Sequence, residues 1–119
     1  MTERRMVPNI TSTRFAESKI FYRDVLGFDI GMDLDWIVGF VSPGERSAQV
    51  QIISQDATAP VNPGLSLHID DLDAVYAAAV RAGATIVYPI TLEPWGVRRF
   101  FVEDPNGVII NVLSHAMSE

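Results

Sequence analysis

The chain has 119 residues, a formal net charge of −6 at pH 7, and 48% hydrophobic and 20% charged residues. That is the composition of one globular domain long enough to bury a core without staples, and it excludes a disordered chain. The absence of cysteine rules out disulfides, thiolate metal sites and thiol nucleophiles; the acidic charge argues against nucleic acid and favours cationic ligands. Residues 1–5 form a polar tail, and residues 6–11 read as a strand whose Pro8 suits an edge or a strand start. Residues 15–26 read as a helix. At 100° per residue Phe15, Ser18, Phe21, Tyr22, Val25 and Leu26 share one arc, opposite Glu17, Arg23 and Asp24. Ser12 or Thr13 can cap it, and Gly27 can take the left-handed position that ends it. Strands follow at about 28–32, 36–41 and 48–53, separated by turn-forming Asp33-Leu34-Asp35 and Ser42-Pro43-Gly44-Glu45.

After a stretch rich in turn formers the pattern repeats. Residues 65–69 read as a strand, and a helix runs from a cap at Asp70 or Asp71 through Ala82, ending at Gly83. Further strands are expected at 84–88, 95–102 and 108–113, the last two joined by the turn at 103–107. Gly27 and Gly83 thus hold the same place in two strand–helix–strand–strand–strand units. A single domain over 1–119 is expected, with a first module at about 6–54, a linker at 55–63 and a second module at about 64–115. No apolar run approaches the roughly 20 residues a membrane span needs, and nothing resembles a signal peptide, so no membrane partner and a cytoplasmic location are expected.

Phe21-Tyr22-Arg23-Asp24-Val25-Leu26-Gly27-Phe28 resembles the FYrdvLGF signature of the glyoxalase/bleomycin-resistance/extradiol-dioxygenase (vicinal oxygen chelate) superfamily. Asp104-Pro105-Asn106-Gly107 before an apolar strand resembles its DPdG motif, and Pro94-Trp95-Gly96-Val97-Arg98 its PWGxR segment. The resemblance implies an α+β fold of two βαβββ modules whose helices cover one sheet face while the other curls around a cavity. It also implies a homodimer. Its metalloenzymes bind a divalent ion through His and Glu at four strand positions, which fall here on Val7, Gln51, Gly64 and Asn111. Two of these have no donor and two are neutral amides, so no metal, no other cofactor and no catalytic residue is assigned.

Strand alternation separates the faces. It turns Leu65, Leu67, Ile69, Val108, Ile110 and Val112 toward a helix. It leaves Val7, Asn9 and Thr11, Gln49, Gln51 and Ile53, Ser66 and His68, and Asn111 and Leu113 toward the cavity. Asn9 also sits in Pro8-Asn9-Ile10-Thr11, which resembles the PNLT opening of bleomycin-resistance proteins. Trp95 offers a flat apolar face, Arg98 or Arg99 a fixed charge, and Trp36 and Phe40 occupy the corresponding strand of the first module. The expected ligand-binding set is Asn9, Trp36, Phe40, Gln51, His68, Trp95, Arg98 and Asn111. Asp70, Asp71 and Asp73 are read as serving a helix N-terminus. The expected function is metal-independent binding of a small organic molecule, an antibiotic or aromatic metabolite. The alternative is a diverged metal-dependent lyase or isomerase of the glyoxalase or dioxygenase type. A third reading is a subunit whose main role is pairing with another protein.

Overall fold

The computed structural model describes residues 4–44, 46 and 48–115. The chain order is β1 (Arg4–Thr11), α1 (Phe15–Lys19) running on into a π-helical turn (Ile20–Val25), β2 (Asp29–Asp33), β3 (Ile37–Val41) and β4 (Gln49–Ile53). Then come β5 (Leu65–Ile69), α2 (Leu72–Arg81), β6 (Thr85–Leu92), β7 (Val97–Glu103) and β8 (Ile109–His115). This is an α+β fold of two βαβββ modules. The chain separates into two compact units, one Val7–Asn62 and the other from Pro63 onward together with Arg4, Arg5 and Met6. No helix among the described residues is long and apolar enough to cross a membrane.

In the first unit the strand order is β2-β3-β4-β1, with β1 parallel to β4 and the other pairs antiparallel. In the second it is β6-β7-β8-β5, with β5 parallel to β8. The same strand order and the same single parallel pair are thus used twice. Gly27 and Gly83 adopt φ of +81° and +75°, which a side chain resists. At the first, Phe28 N–H donates to the Tyr22 carbonyl at 2.9 Å, closing the helix as a left-handed C′ residue allows.

Each core lies between a sheet face and its helix. Val38, Phe40, Val50 and Ile52 pack with Phe15, Tyr22, Phe28 and Ile30 in the first unit. In the second, Ile69, Leu72, Phe100 and Val112 pack with Leu67, Val75, Tyr76 and Ile110, as alternation in β5 and β8 requires.

The first helix departs from the expected arc. Leu26 N–H donates to the Phe21 carbonyl, an i→i−5 bond, so the turn is wider than the regular 100° step. Phe15 and Tyr22 stay against the core, but Phe21, Val25 and Leu26 swing out and are about half exposed or more. Asp71 holds the expected N-cap position of α2, while Arg14, not Ser12 or Thr13, holds that of α1. Ser12 Oγ accepts from Arg14 N–H at 3.0 Å, one residue before the helix, and neither helix has a side-chain cap. Asp71 instead receives Arg4 at 2.8 Å and Asp73 receives Arg98 at 2.8 Å.

The connection between the units' strands is locally folded. Buried Asp56 accepts from Thr58 and Ala59 N–H groups, while Asn62 Oδ1 accepts from Asp56 N–H at 2.7 Å. Asn62 Nδ2 then donates to Thr11 Oγ1 and the Ser54 carbonyl. These are the local side-chain-to-backbone bonds that Asp and Asn make in turns. β6 extends past its expected end through Pro89 to Leu92, and its pairing with β7 slips between Ile86 and Tyr88 and again between Tyr88 and Thr91.

Candidate functional site

The sheet face of the second unit opposite α2 gathers most of the polar chemistry. Strand registers set Ser66 beside Asn111, Asn111 beside Phe101 and Phe101 beside Tyr88. The next row runs His68, Leu113, Arg99 and Thr91. Asn111 Nδ2 donates to Ser66 Oγ at 3.3 Å, and both residues are buried. Asn111 Oδ1 and His68 Nδ1 are buried with no hydrogen-bond partner among the described residues. A buried polar atom left in that condition costs free energy unless something bonds to it.

Beside them stands a built ion pair. Arg99 Nε donates to Glu93 Oε2 at 2.7 Å, and Tyr88 Oη donates to the same oxygen at 2.9 Å. Both charged residues are 3% exposed. The guanidinium carbon lies 5.2 Å from the Trp95 ring centroid, 5.5 Å from Tyr88 and 4.9 Å from Phe101, within cation–π range of all three. The turn that presents Trp95 is fixed by Gly96 N–H donating to the Glu93 carbonyl, with Pro94 at the second position and Gly96 at φ +88°. Trp95 is 40% exposed, so part of its ring remains available for contact.

The arginine on this face is Arg99, not Arg98. Arg98 lies on the α2 side, bonded to Asp73 in the first turn of that helix. The strand sequence Val97-Arg98-Arg99-Phe100-Phe101 places like residues side by side, so composition does not reveal which member of each pair points which way. Glu93, Tyr88 and Phe101 were not among the expected site residues either. The signal that could have found them is the short Glu93–Arg99 spacing across a Pro-Trp-Gly turn.

His68 stacks on His115 with ring centroids 5.8 Å apart and planes inclined by 28°. Burial, then the Arg5 cation and His115, push the His68 imidazole down to about 4. It is therefore neutral at pH 7 and acts as a hydrogen-bonding group. The unfolded chain takes up this proton first, near its ordinary 6.5, so the associated stability is full above that value and lost as pH falls toward 4. Discounted for its partial exposure, the loss amounts to roughly 1–2 kcal/mol. Urea unfolding at pH 7 and pH 5 should show this difference in the native chain and little of it in His68→Gln. The lowered carboxyls of Asp71, Asp73 and Asp104 act in a different window, below their ordinary 3.8.

In the first unit, register sets Asn9 beside Gln51 and Gln51 beside Gly39. Phe40 belongs to the opposite face: it is 1% exposed and stacks on Tyr22 at 5.0 Å within the helix-side core. Every residue of β3 is buried, so no polar–apolar alternation marks its faces. Trp36 precedes β3, half-buried, its carbonyl accepting from Ser54 N–H and Oγ. The helix side of this unit carries a shallow groove of about 270 Å³ lined by Ile10, Ser12, Arg14, Phe21, Tyr22 and Ile52, among others.

The donor set can be tested against the metal that the fold's metalloenzymes bind. Val7 is fully buried and has no donor, and a Cβ at Gly64 would already meet Val108 at 3.3 Å. Gln51 and Asn111 offer only neutral amides. Among the described residues no three His, Cys, Asp or Glu side chains converge as a ligand group. These residues do not fit a hard divalent cation.

The fold is shared with solved structures of unlike chemistry. An NAD-dependent benzaldehyde dehydrogenase from Legionella pneumophila matches with a TM-score of 0.72 at 16% identity, over 92% of this chain and 98% of that one. A glyoxalase/bleomycin resistance protein/dioxygenase superfamily member from Vibrio splendidus 12B01 gives 0.69 at 19%, over 95% and 99%. Methylmalonyl-CoA epimerase from Mycobacterium tuberculosis gives 0.66 at 20%, over 95% and 87%. At these identities the likeness shows the fold alone. No curated protein matches the sequence. The Glyoxalase/Bleomycin resistance protein/Dioxygenase superfamily model matches residues 7–112, and the chain belongs to that superfamily.

Proposed function

We propose that this protein binds a small organic molecule with an aromatic body, without a metal, on the second unit's sheet face opposite α2. The observation that carries this is the pairing of two buried polar atoms without a partner among the described residues, Asn111 Oδ1 and His68 Nδ1, with a part-exposed indole on one face. Amide and imidazole groups orient a ligand, and Trp95 supplies area for stacking, which is the usual division of labour in a binding pocket. The first unit's register partners Asn9 and Gln51 are proposed as a pair of amides for ligand contact on that unit. Sequestration of an antibiotic or an aromatic metabolite is the role this suits, and a symmetric pair of chains is the assembly expected of it.

The test is a thermal-shift and NMR titration screen of antibiotics and aromatic metabolites, with elemental mass spectrometry after incubation with Mn, Fe, Co, Ni and Zn ions. Ligand-induced stabilisation with no retained metal supports the reading. About one metal ion per chain, with activity lost to chelator, would transfer it to the metal-dependent lyase or isomerase alternative. Within the binder reading, Trp95→Ala should weaken a hit by roughly tenfold while lowering stability by less than about 2 kcal/mol. A stability loss of about 3–5 kcal/mol, as for a core aromatic, would mark Trp95 as packing instead.

A further inference from the structure

We propose that the ligand of this face carries a neutral primary carboxamide, held between Asn111 Oδ1 and His68 Nδ1, with its aromatic ring lying toward Trp95. The inference rests on the binding reading above and names the chemical class of its ligand. The register of β5 on β8 sets Ser66 beside Asn111 and His68 beside Leu113, so Asn111 and His68 are diagonal neighbours on one face. Two residues of rise and one interstrand spacing put their Cα atoms about 8 Å apart. Side chains on such a diagonal converge on a small group set between them.

Asn111 fixes what that group must offer. Its Nδ2 donates to Ser66 Oγ at 3.3 Å, and it is the acceptor, Oδ1, that lacks a partner among the described residues. An acceptor needs an N–H or O–H from the ligand. Asn111 is 8% exposed, so bulk water does not meet that need. His68 is neutral at pH 7, and a neutral imidazole has one nitrogen that donates and one that accepts. A primary carboxamide satisfies either tautomer: its C=O accepts from a protonated Nδ1, and its second N–H donates to an unprotonated one. Other groups fail one side of the pair. A carboxylate has no hydrogen for Asn111 Oδ1 and sets a negative charge against it, and an ester only accepts. An ammonium has no acceptor and must leave water to reach atoms this deep. A hydroxyl has one hydrogen on one atom, where the diagonal calls for two polar atoms side by side. Trp95 lies over the Arg99 guanidinium at 5.2 Å, and only β8 separates His68 from Arg99, about 10 Å away. A phenyl ring on a two-carbon chain from the carboxamide spans that distance.

The experiment titrates the full chain with 3-phenylpropionamide, 3-phenylpropanol, methyl 3-phenylpropionate and 3-phenylpropionate, following the Asn111 side-chain amide and the Trp95 indole N–H by NMR. The amide should bind about tenfold tighter than the ester and the carboxylate, with the alcohol between. Asn111→Leu should bring the amide down to the ester's affinity, followed at the Trp95 indole. Equal or tighter binding of the ester, alcohol or carboxylate to the native chain, with both resonances still shifting, overturns the carboxamide and leaves the binding face standing. An amide preference that survives Asn111→Leu likewise overturns the assignment. If none of the four shifts either resonance, both the carboxamide site and the binding reading fall.

Discussion

Glu93→Ala should destabilise the protein by roughly 3–5 kcal/mol in guanidinium unfolding, the cost of leaving a buried charge without its partner. Arg99 is 3% exposed and cannot recover hydration when the carboxylate is removed, and Tyr88 Oη loses its acceptor in the same step. The aromatic rings around the guanidinium offset only part of this, since each such contact contributes on the order of 1 kcal/mol. The control is the double replacement Glu93→Leu with Arg99→Met, which removes both charges and should restore much of the loss. A Glu93→Ala loss below about 1 kcal/mol would mean that water reaches the guanidinium. Trp95 fluorescence should also change in Glu93→Ala, because the cation beneath the ring is no longer fixed.

Phe40→Ala should cost about 3–5 kcal/mol of stability, as expected of a buried aromatic whose removal leaves a cavity. Phe40 is packed against Tyr22, Val38, Val50 and Ile52, and its loss opens the space beneath the first helix. Ligand affinity measured where the variant remains folded should stay within about twofold of the native chain. A large affinity loss with little change in stability would return Phe40 to the binding set. The contrast with Trp95→Ala separates the two aromatic residues by role, since one is enclosed and the other is part-exposed.

The parts of the fold that were legible in the sequence are those where a local rule had no competitor. Gly27 and Gly83 ended helices because both positions need positive φ, and each was followed by a strand. Alternation in β5 and β8 separated Ser66, His68 and Asn111 from Leu67, Ile69 and Val112, because both strands mix polar and apolar residues in period two. The misreadings came where that pattern is missing. In β3 burial is complete, so Phe40 had no polar neighbour to mark its side. In β7 the doublets Arg98-Arg99 and Phe100-Phe101 look alike from either face, and only the bond to Asp73 or Glu93 tells them apart. The wheel for the first helix failed for another reason: it assumed one regular step, and the i→i−5 bond at Leu26 changes that step midway. Asp71 does stand at the N-cap and Asp73 in the first turn of α2, as read from the sequence, but their side chains bond Arg4 and Arg98, which come from strands remote along the chain.

The irregular pairing of β6 bears on how this protein behaves when concentrated. β6 is the outermost strand of its unit's sheet, and an outermost strand with continuous free N–H and C=O groups invites a strand from another molecule. Pro89 has no N–H to offer, and the two slips in register bend the strand away from the straight template such growth needs. Stacking of chains into fibrils is therefore opposed at this edge. At β6, association between copies by strand addition is disfavoured.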